Sequence, residues 1–324
     1  MNTVKIAIFS LITLVIFVFM AEMTLKVLKF PAILIDSKVR ALIECRKEVD
    51  AYYRKCNFNR LGLRGNKEIL PKQNDVYRIV CIGDSWTFGL GVAEDKSYPA
   101  FLEDFLRKNV PGVKIEVVNA GISSYSAEEI IHFLEKNMNV LTPDCIIFLG
   151  GTSGIAANVI KNPWDNRYIK FYSSKIGLFL SKSYLYNALS NLVLELRGII
   201  QNSEKDIIRE NRVIAYSADF LDRLQKEGKA VILLSYPLPK ISKSIPYNIY
   251  QGHGNRSVDL MLKSFLNKNS NFVFIDLYGI FKKIENCNAL FLKMCHTHLN
   301  AAGYNVMSGV VGAYLRQELF LLRK

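Results

Sequence analysis

Apolar residues along this chain follow three different spacings, and each spacing predicts a different element. An uncharged, mainly apolar run occupies Ile6–Ala21, whereas beyond Tyr77 short apolar runs alternate with stretches in which apolar residues recur every three or four positions. Short unbroken runs are typical of buried strands, and the wider spacing is typical of amphipathic helices. The predicted strands are Ile79–Ile82, Ile115–Asn119, Cys145–Leu149, Ala230–Ser235 and Phe272–Ile275, and the predicted helices are Tyr98–Lys108, Ala127–Asn137, Tyr184–Ile200, Lys205–Glu227, Arg256–Asn267 and Ala301–Leu321.

Five short strands separated by helices predict an α/β fold in which a five-stranded parallel sheet is covered by helices on both faces. Right-handed crossovers place all strand carboxyl ends at one edge of such a sheet. Ligands of open α/β sheets bind at that edge. We therefore expect Ser85, Gly121, Ser153 and the loop that holds His298 to lie close together there.

The apolar N-terminal run predicts a membrane helix. Ile6–Ala21 follows Lys5 and is close to the lower limit of about 17 residues for a spanning helix. Bulky Phe19 stands where a cleaved signal peptide would carry a small residue. Residues 1–28 are therefore interpreted as an uncleaved, single-pass signal-anchor. The basic residues that follow the run (Lys26, Lys29, Lys38 and Arg40) would by charge alone favour a cytoplasmic location for the rest of the chain.

A connector is predicted over residues 29–74, ahead of a domain at 75–324. It has charged, helical character at 38–53 and ends in the glycine-containing stretch Asn57–Gly65. The glycines predict turns. We expect this last stretch to lie on the surface of the domain.

Composition narrows the function classes. Half of the 324 residues are hydrophobic, which is typical of a folded protein. The net charge is +13, but the basic residues are scattered, and neither zinc-ligand spacing nor an aromatic RNA-binding signature is present. A nucleic-acid partner is therefore not expected. A solvated basic surface is the simpler explanation of the charge, and an anionic membrane or wall polymer is the alternative.

The six cysteines divide into two groups. Cys81 and Cys145 lie within predicted strands, where a thiol packs as a small hydrophobic group. The others could form disulfides in an extracytoplasmic domain, in the pairs Cys45/Cys56 and Cys287/Cys295. The chain has no Cys-X-X-Cys spacing, so neither a metal site nor another cofactor is expected.

A serine and a histidine are the candidate reactive groups. The strand run Ile79–Ile82 ends at Gly83-Asp84-Ser85, which presents Ser85 either as a nucleophile or as the cap of a helix. Near the other end of the chain, His298 precedes the last predicted helix. A base has to be near its nucleophile only in space, so the two residues form a workable pair.

These segments together resemble the SGNH/GDSL hydrolase family from Tyr77 to the end of the chain. Gly83-Asp84-Ser85 resembles the block that carries the nucleophile, and Asn119–Ser124 resembles the second block. Phe148–Gly154 stands where the third block belongs, and His298-Leu-Asn resembles the end of the fifth block. The resemblance implies a flavodoxin-like three-layer α/β/α fold. It also implies that Ser85 is the nucleophile, that His298 and not His296 is the base, and that the backbone N–H groups of Ser85 and Gly121 form an oxyanion hole.

Two positions depart from the family pattern. Ser153 replaces the third-block asparagine that donates to the oxyanion, and its shorter hydroxyl side chain is expected to donate in that place; Asn158, further along the same loop, is a supporting candidate. Cys295 replaces the acid three residues before His298, and it could instead hold the loop through a disulfide. Asp84 is interpreted as a structural residue of the turn. A Ser85–His298 dyad is therefore expected in place of a triad.

The resemblance implies a serine esterase or acyltransferase whose catalytic domain lies outside the cytoplasm. Its expected substrates are O-acyl esters, O-acetyl esters above all, of cell-envelope glycans or lipids. The alternative is a catalytically impaired glycan-binding or assembly protein on the same fold. The aromatic residues of 154–200 (Trp164, Tyr168, Phe171 and Tyr172) are interpreted either as a lid or substrate wall or as ordinary packing.

Overall fold

The chain divides into two compact units, Met1–Lys47 with Ile160–Ser203, and Glu48–Val159 with Glu204–Lys324. The second is named the hydrolase unit after the family that it resembles. The computed structural model describes residues 3–30, 49, 51–123, 125, 127–149, 174–180, 182–190, 192, 204–237, 273–292 and 298–321. Several predictions fall outside these residues, namely those on Ser153, Asn158, Cys295, the aromatic residues at 164–172 and the helix Arg256–Asn267.

The hydrolase unit is built on one five-stranded sheet. Every strand pair is parallel, and the strand order is β2-β1-β3-β4-β5. This order is the one found in flavodoxin-like folds, and it confirms the predicted fold class and all five predicted strands. The strands are β1 (Val76–Gly83), β2 (Lys114–Gly121), β3 (Cys145–Leu149), β4 (Ala230–Leu234) and β5 (Val273–Ile275).

Helices cover both faces of the sheet. One hydrophobic core lies between the sheet and the pair α3 and α9, and a second lies between the sheet and the pair α4 and α7. The three-layer arrangement is therefore as predicted. The helices are α1 (Thr3–Val27), α2 (Ser85–Phe88), α3 (Tyr98–Asn109), α4 (Ala127–Leu141), α5 (Lys175–Leu180), α6 (184–190), α7 (Glu204–Lys226), α8 (Leu277–Lys282) and α9 (Ala301–Leu321).

Strand β1 begins three residues before the predicted start. Arg78 is buried within it, and its guanidinium bonds Glu116 at 2.8 Å and the carbonyl oxygens of Leu70 and Leu141 at 2.8 and 3.1 Å. A buried charge is tolerated when it is paired and hydrogen-bonded in this way. The prediction missed the start of the strand because it relied on unbroken apolar runs, and Arg78 interrupts the run there.

The end of the connector lies on the surface only in part: residues 57, 58, 60 and 62 are exposed, whereas others of the stretch are buried. Asn59, Leu63 and Arg64 are buried in the hydrolase unit, and Leu63 belongs to the core beside α4 and α7. The predicted turns are present, since Gly62 and Gly65 have φ values of 75° and 105°. The asparagine folds the turn locally, because its Oδ1 accepts the N–H groups of Leu61 and Leu63 at 3.0 Å each.

The first unit contains α1, α5 and α6. Among the described residues, α1 is the one helix that is long and apolar enough to cross a membrane, and none of its residues is buried. This helix is a candidate transmembrane span, and it covers the predicted apolar run. A signal sequence near the N-terminus would meet the same criteria of length and hydropathy.

Candidate active site

Ser85 is presented at the carboxyl end of β1. Every residue from 78 to 90 is buried except Ser85, which is half-exposed as the first residue of α2. Asp84 is the N-cap of this short helix, and its Oδ1 accepts the N–H of Trp86 at 3.0 Å. The turn therefore brings one hydroxyl to the surface of an otherwise closed core.

Two glycines let α2 rest on the strand ends. Gly83 is paired with Gly121 of β2 and with Leu149 of β3, so the three strands end at one level. A Cβ at Gly121 would lie 2.2 Å from the backbone nitrogen of Phe88, and a Cβ at Gly83 would lie 2.0 Å from the carbonyl oxygen of Leu149. Neither position can accept a side chain unless the backbone moves.

The segment His298-Leu299-Asn300 is fixed by its own neighbours. The carbonyl oxygen of His298 accepts the N–H of Leu292 at 2.9 Å, and the fully buried Leu299 pairs with Phe291 in an antiparallel bridge. Asn300 starts α9, because its Oδ1 accepts the N–H of Gly303 at 3.0 Å. Leucine and asparagine are thus structural here, and they hold the histidine in place.

The structure brings the two predicted reactive side chains together. Ser85 Oγ lies 2.7 Å from His298 Nε2, although the residues are 213 positions apart. This is a normal hydrogen-bond distance for a hydroxyl and an imidazole. A nucleophile and its base need this contact. Their catalytic roles remain predictions.

The imidazole of His298 lies in a desolvated aromatic environment. Its ring centroid is 5.3 Å from that of Trp86, with an angle of 31° between the planes. Burial lowers the pKa of His298 from 6.5 to about 4, because the charged form loses its water. The ring is therefore neutral at physiological pH, which is the form that can accept a proton.

The carboxylate of Asp84 is buried and engaged. Its Oδ1 holds the N–H of Trp86, and its Oδ2 accepts the hydroxyl of Tyr236 at 2.7 Å. The rings of Trp86 and Tyr236 also meet edge to face, with centroids 5.6 Å apart. Asp84 thus ties the turn to the end of β4. Neither aromatic residue was predicted to belong to the site, although Tyr236 stands directly after the carboxyl end of a predicted strand run.

The predicted oxyanion hole is partly occupied by the protein itself. The N–H of Gly121 donates to Asn119 Oδ1 at 3.0 Å. The Nδ2 atom of Asn119 is buried and has no hydrogen-bond partner within the described part of the chain. Ser153 and Asn158 lie outside the described residues. Asn119 was not predicted to be a site residue, although Asn119 is the first residue of the second block.

A clamp from the connector holds the C-terminal end of α2. Arg64 donates to the carbonyl oxygens of Phe88, Gly89 and Val92 at 2.8, 2.9 and 2.6 Å. The hydroxyl of Tyr52 lies 2.7 and 2.8 Å from the carbonyl oxygens of Gly89 and Val92. Arginine near a helix C-terminus satisfies the last carbonyl groups in this way. The clamp was not predicted, because nothing local in the sequence connects these residues.

Two cysteines of the hydrolase unit pack in its core, as predicted. Cys81 and Cys145 are free thiols in the core, and burial raises the pKa of Cys145 to about 12. Cys56 is also a free thiol, whereas Cys45 and Cys295 lie outside the described residues. Within the described ranges, no group of three or more His, Cys, Asp or Glu side chains could hold a metal ion.

Comparison with protein families gives a clear assignment. The model of the GDSL-like lipase/acylhydrolase family matches residues 81–306, which include Ser85 and His298. The chain belongs to this family. The match starts inside β1 and ends inside α9, so it covers the end of β1 that leads to Ser85, the other four strands and the helices between them.

The GDSL-like chain is also similar to solved structures. One is a family 3 carbohydrate esterase from Clostridium thermocellum, with 17% identity, coverage of 76% of this chain and 98% of that chain, and a TM-score of 0.48. Another is a catalytic mutant of an acetylxylan esterase from Geobacillus stearothermophilus, with 15% identity, 72% and 92% coverage and a TM-score of 0.46. A third is a lipase/acylhydrolase from Enterococcus faecalis, with 15% identity, 75% and 96% coverage and a TM-score of 0.45. A search of curated proteins gave no match.

Proposed function

We propose that this chain is a membrane-anchored serine esterase or O-acyltransferase that works through a Ser85–His298 dyad. The observation that carries the proposal is the distance of 2.7 Å between Ser85 Oγ and His298 Nε2 at the carboxyl edge of the sheet. Membership of an acylhydrolase family supports the reaction class. The proposed substrates are O-acetyl or other O-acyl esters of cell-envelope glycans or lipids.

The proposed reaction has two halves. As Ser85 Oγ attacks the ester carbonyl carbon, its proton moves to His298 Nε2 and a tetrahedral oxyanion forms. The bond to the alcohol oxygen then breaks, His298 returns the proton to that oxygen, and an acyl-Ser85 ester remains. Water or a sugar hydroxyl attacks this ester, again with His298 as base. The attacking group decides between hydrolysis and transfer.

The oxyanion would be held by backbone donors at the end of the sheet. The N–H of Ser85, the first residue of α2, has no partner within that helix. The N–H of Gly121 can join it once Asn119 Oδ1 releases it, because the two atoms are now bonded at 3.0 Å. Ser153 is proposed as a third, side-chain donor. Donors directed at the developing charge are worth about a hundred- to a thousand-fold in rate each.

The lowered pKa of His298 fits the role of a general base. A buried imidazole remains neutral over the physiological range, since desolvation is the cause of the shift to about 4. In the sequence, Cys295 stands where the family carries an acid, and this is why the proposal is a dyad.

The alternative is a glycan-binding or assembly protein that has kept the fold and lost the reaction. The observation that favours it is the Gly121 N–H, which is already bonded to Asn119 Oδ1. A site that keeps this bond throughout would lack one oxyanion donor. The two proposals differ in whether Ser85 is acylated.

Hydrolysis of p-nitrophenyl acetate by the full-length protein in detergent separates the two proposals. An esterase releases nitrophenol, and Ser85→Ala abolishes the release, whereas the same low rate in both proteins would reject the enzyme. Addition of an oligosaccharide acceptor, followed by mass spectrometry of the products, separates hydrolysis from transfer.

The anchor and the location are part of the proposal. We propose that α1 spans the membrane once and that the hydrolase unit lies outside the cytoplasm, where acylated envelope polymers are found. Protease treatment of intact cells and of spheroplasts tests this location. If the protease cleaves the hydrolase unit in spheroplasts, the extracytoplasmic location is supported. If the unit is protected in spheroplasts and is cleaved only after lysis, that location is contradicted.

A further inference from the structure

The acidic residue near the end of α1 is bonded to a distant part of the chain. Glu22 Oε2 accepts the hydroxyl of Ser183 and the N–H of Leu185, each at 2.8 Å. Glu22 Oε1 accepts the N–H of Tyr184, also at 2.8 Å. These residues belong to the same compact unit as α1. One carboxylate thus joins the candidate span to a segment more than 160 residues away.

These bonds form the cap of α6. The first N–H groups of a helix lack partners within it. Glu22 satisfies the first two, those of Tyr184 and Leu185, and the hydroxyl of Ser183 accepts the next, that of Tyr186, at 3.1 Å. A negative charge is also favoured at a helix N-terminus by the helix dipole. The N-terminus of α6 is therefore held against α1 by the side chain of Glu22.

Helices α5 and α6 expose large apolar side chains. Ile176 and Phe179 lie on one face of α5 and are 68% and 76% exposed. Leu189 in α6 and Leu192, two positions beyond its described end, are 54% and 52% exposed. Large apolar side chains that are exposed along one short stretch of the chain suggest a surface that contacts a membrane or a protein. We call the described residues of 174–192 the interfacial segment.

The position of Glu22 along α1 indicates that the interfacial segment contacts a membrane and not a protein. Glu22 is 17 residues beyond Lys5, about 26 Å along a helix. The hydrocarbon layer of a bilayer is about 30 Å thick. If Lys5 lies at one boundary of that layer, Glu22 lies within a few ångströms of the other. The interfacial segment is then held at the depth where lipid headgroups meet acyl chains.

The charges of the segment agree with that depth. Lys175 and Lys182 are exposed beside the apolar residues, and Lys26 follows Glu22 by one helical turn. Short helices that combine exposed apolar residues with lysine are typical of elements that lie in the membrane interface. Anionic headgroups attract such lysines.

We propose that the interfacial segment is a second membrane contact, which lies in the headgroup region of the bilayer and is docked there by Glu22. The occupant of its apolar surface is lipid, with anionic headgroups at Lys175 and Lys182. The inference rests on the proposed placement of α1 in the membrane and is independent of the chemistry at Ser85.

Tryptophan fluorescence of the full-length protein in vesicles that contain brominated lipids tests the proposal. Three single variants are compared after subtraction of the wild-type signal of Trp86 and Trp164: Phe17→Trp in the middle of α1, Phe179→Trp in the interfacial segment, and Lys108→Trp on an exposed turn of α3. Phe17→Trp should be quenched most by bromines near the ends of the acyl chains. Phe179→Trp should be quenched most by bromines near the headgroups, and Lys108→Trp only weakly.

Three other quenching patterns would overturn the proposal, each for a different reason. If Phe17→Trp is quenched and Phe179→Trp is quenched no more than Lys108→Trp, the interfacial contact is wrong and the anchor stands. If Phe17→Trp is not quenched, the anchor itself is wrong and the inference falls with it. Blue-shifted emission of Phe179→Trp without quenching would mean that a second copy or another protein covers the surface, which also overturns the proposal.

The role of Glu22 is tested in the same assay. In the double variant with Glu22→Ala, quenching of Phe179→Trp by bromines near the headgroups should fall towards the level of Lys108→Trp. Quenching of Phe17→Trp should persist when Glu22→Ala is added, because α1 keeps its apolar run. Unchanged quenching at residue 179 after Glu22→Ala would overturn the docking by Glu22.

Discussion

The indole of Trp86 lies against the imidazole of His298, with ring centroids 5.3 Å apart and an angle of 31° between the planes. Trp86 directly follows the candidate nucleophile, so the first turn of α2 supplies both the reactive hydroxyl and a wall of the base. The indole is in turn packed edge to face on Tyr236 and Phe291. The indole covers one face of the imidazole and reduces its contact with water, which would stabilise the charged form of the ring.

The activity should therefore persist in acid. His298 works as a base only when it is neutral, and its pKa is lowered from 6.5 to about 4. A lowered pKa moves the acid limb of the pH profile downwards, so kcat/KM for a neutral ester should fall with a midpoint near pH 4. The profile of the full-length protein, with Ser85→Ala as the blank, gives the midpoint.

A smaller ring at position 86 provides the control for this prediction. Trp86→Phe lets water approach His298, so the midpoint should rise towards 6.5, the ordinary value. A midpoint near 6.5 in the wild type would contradict a desolvated imidazole. An unchanged midpoint in Trp86→Phe would show that the indole is not its cause.

Gly121→Ala should damage the site through α2. Its Cβ would lie 2.2 Å from the backbone nitrogen of Phe88, so the helix that carries Ser85 has to move. Overpacking of this kind costs about 1–3 kcal/mol in the free energy of unfolding. A displaced nucleophile lowers the rate about a hundred-fold. Gly309→Ala in α9 is the matched control, since a Cβ there meets nothing within 4 Å; an equally active Gly121→Ala protein would contradict the packing argument.

Two substitutions of Asn119 test whether the Gly121 N–H serves the oxyanion. Asn119→Ala frees this N–H from its bond of 3.0 Å, so the protein should retain activity. Asn119→Asp puts a carboxylate beside the N–H, which opposes a second negative charge there. We expect kcat to be at least about tenfold lower in Asn119→Asp than in Asn119→Ala. Equal values of kcat for the two variants would exclude Gly121 as a donor.

Arg64→Ala should lower the free energy of unfolding of the protein. It leaves three carbonyl groups of 88–92 without their guanidinium donor, and charged hydrogen bonds of this kind are worth about 3 kcal/mol when they are lost. The matched control is Arg60→Ala, in the same loop, where the side chain is 91% exposed and its loss costs about 0.5 kcal/mol or less. Urea unfolding in detergent measures both. Equal midpoints would contradict the clamp.

The sequence predicted the sheet well because its strands are short apolar runs with clear ends. Cys145–Leu149 and the helix Ala301–Leu321 have the predicted bounds. The start of β1 was missed because Arg78 is polar by type and is buried only through Glu116 and backbone partners. Apolar spacing carries no information about such long-range pairing.

The candidate site was only partly predictable. Ser85 and His298 are recognisable because each stands in a short local pattern, and the common edge of a parallel sheet explains how they meet. Arg64, Tyr236 and Asn119 act on the site through contacts between distant parts of the chain or through one side-chain orientation. Arg64 has no local pattern that would single it out, whereas Tyr236 stands just beyond a strand and Asn119 begins the second block, so only these two had a signal in the sequence.

Labelling with a serine-directed phosphonate tests the central claim most directly. The full-length protein should be modified at Ser85, as located by mass spectrometry, and Ser85→Ala should not be labelled. His298→Gln should slow labelling about a hundred-fold or more, because the base that activates the hydroxyl is gone. His132→Gln, at an exposed position of α4, should be labelled like the wild type. A folded protein that is not labelled at Ser85, or is labelled at a rate that does not depend on His298, would contradict the dyad.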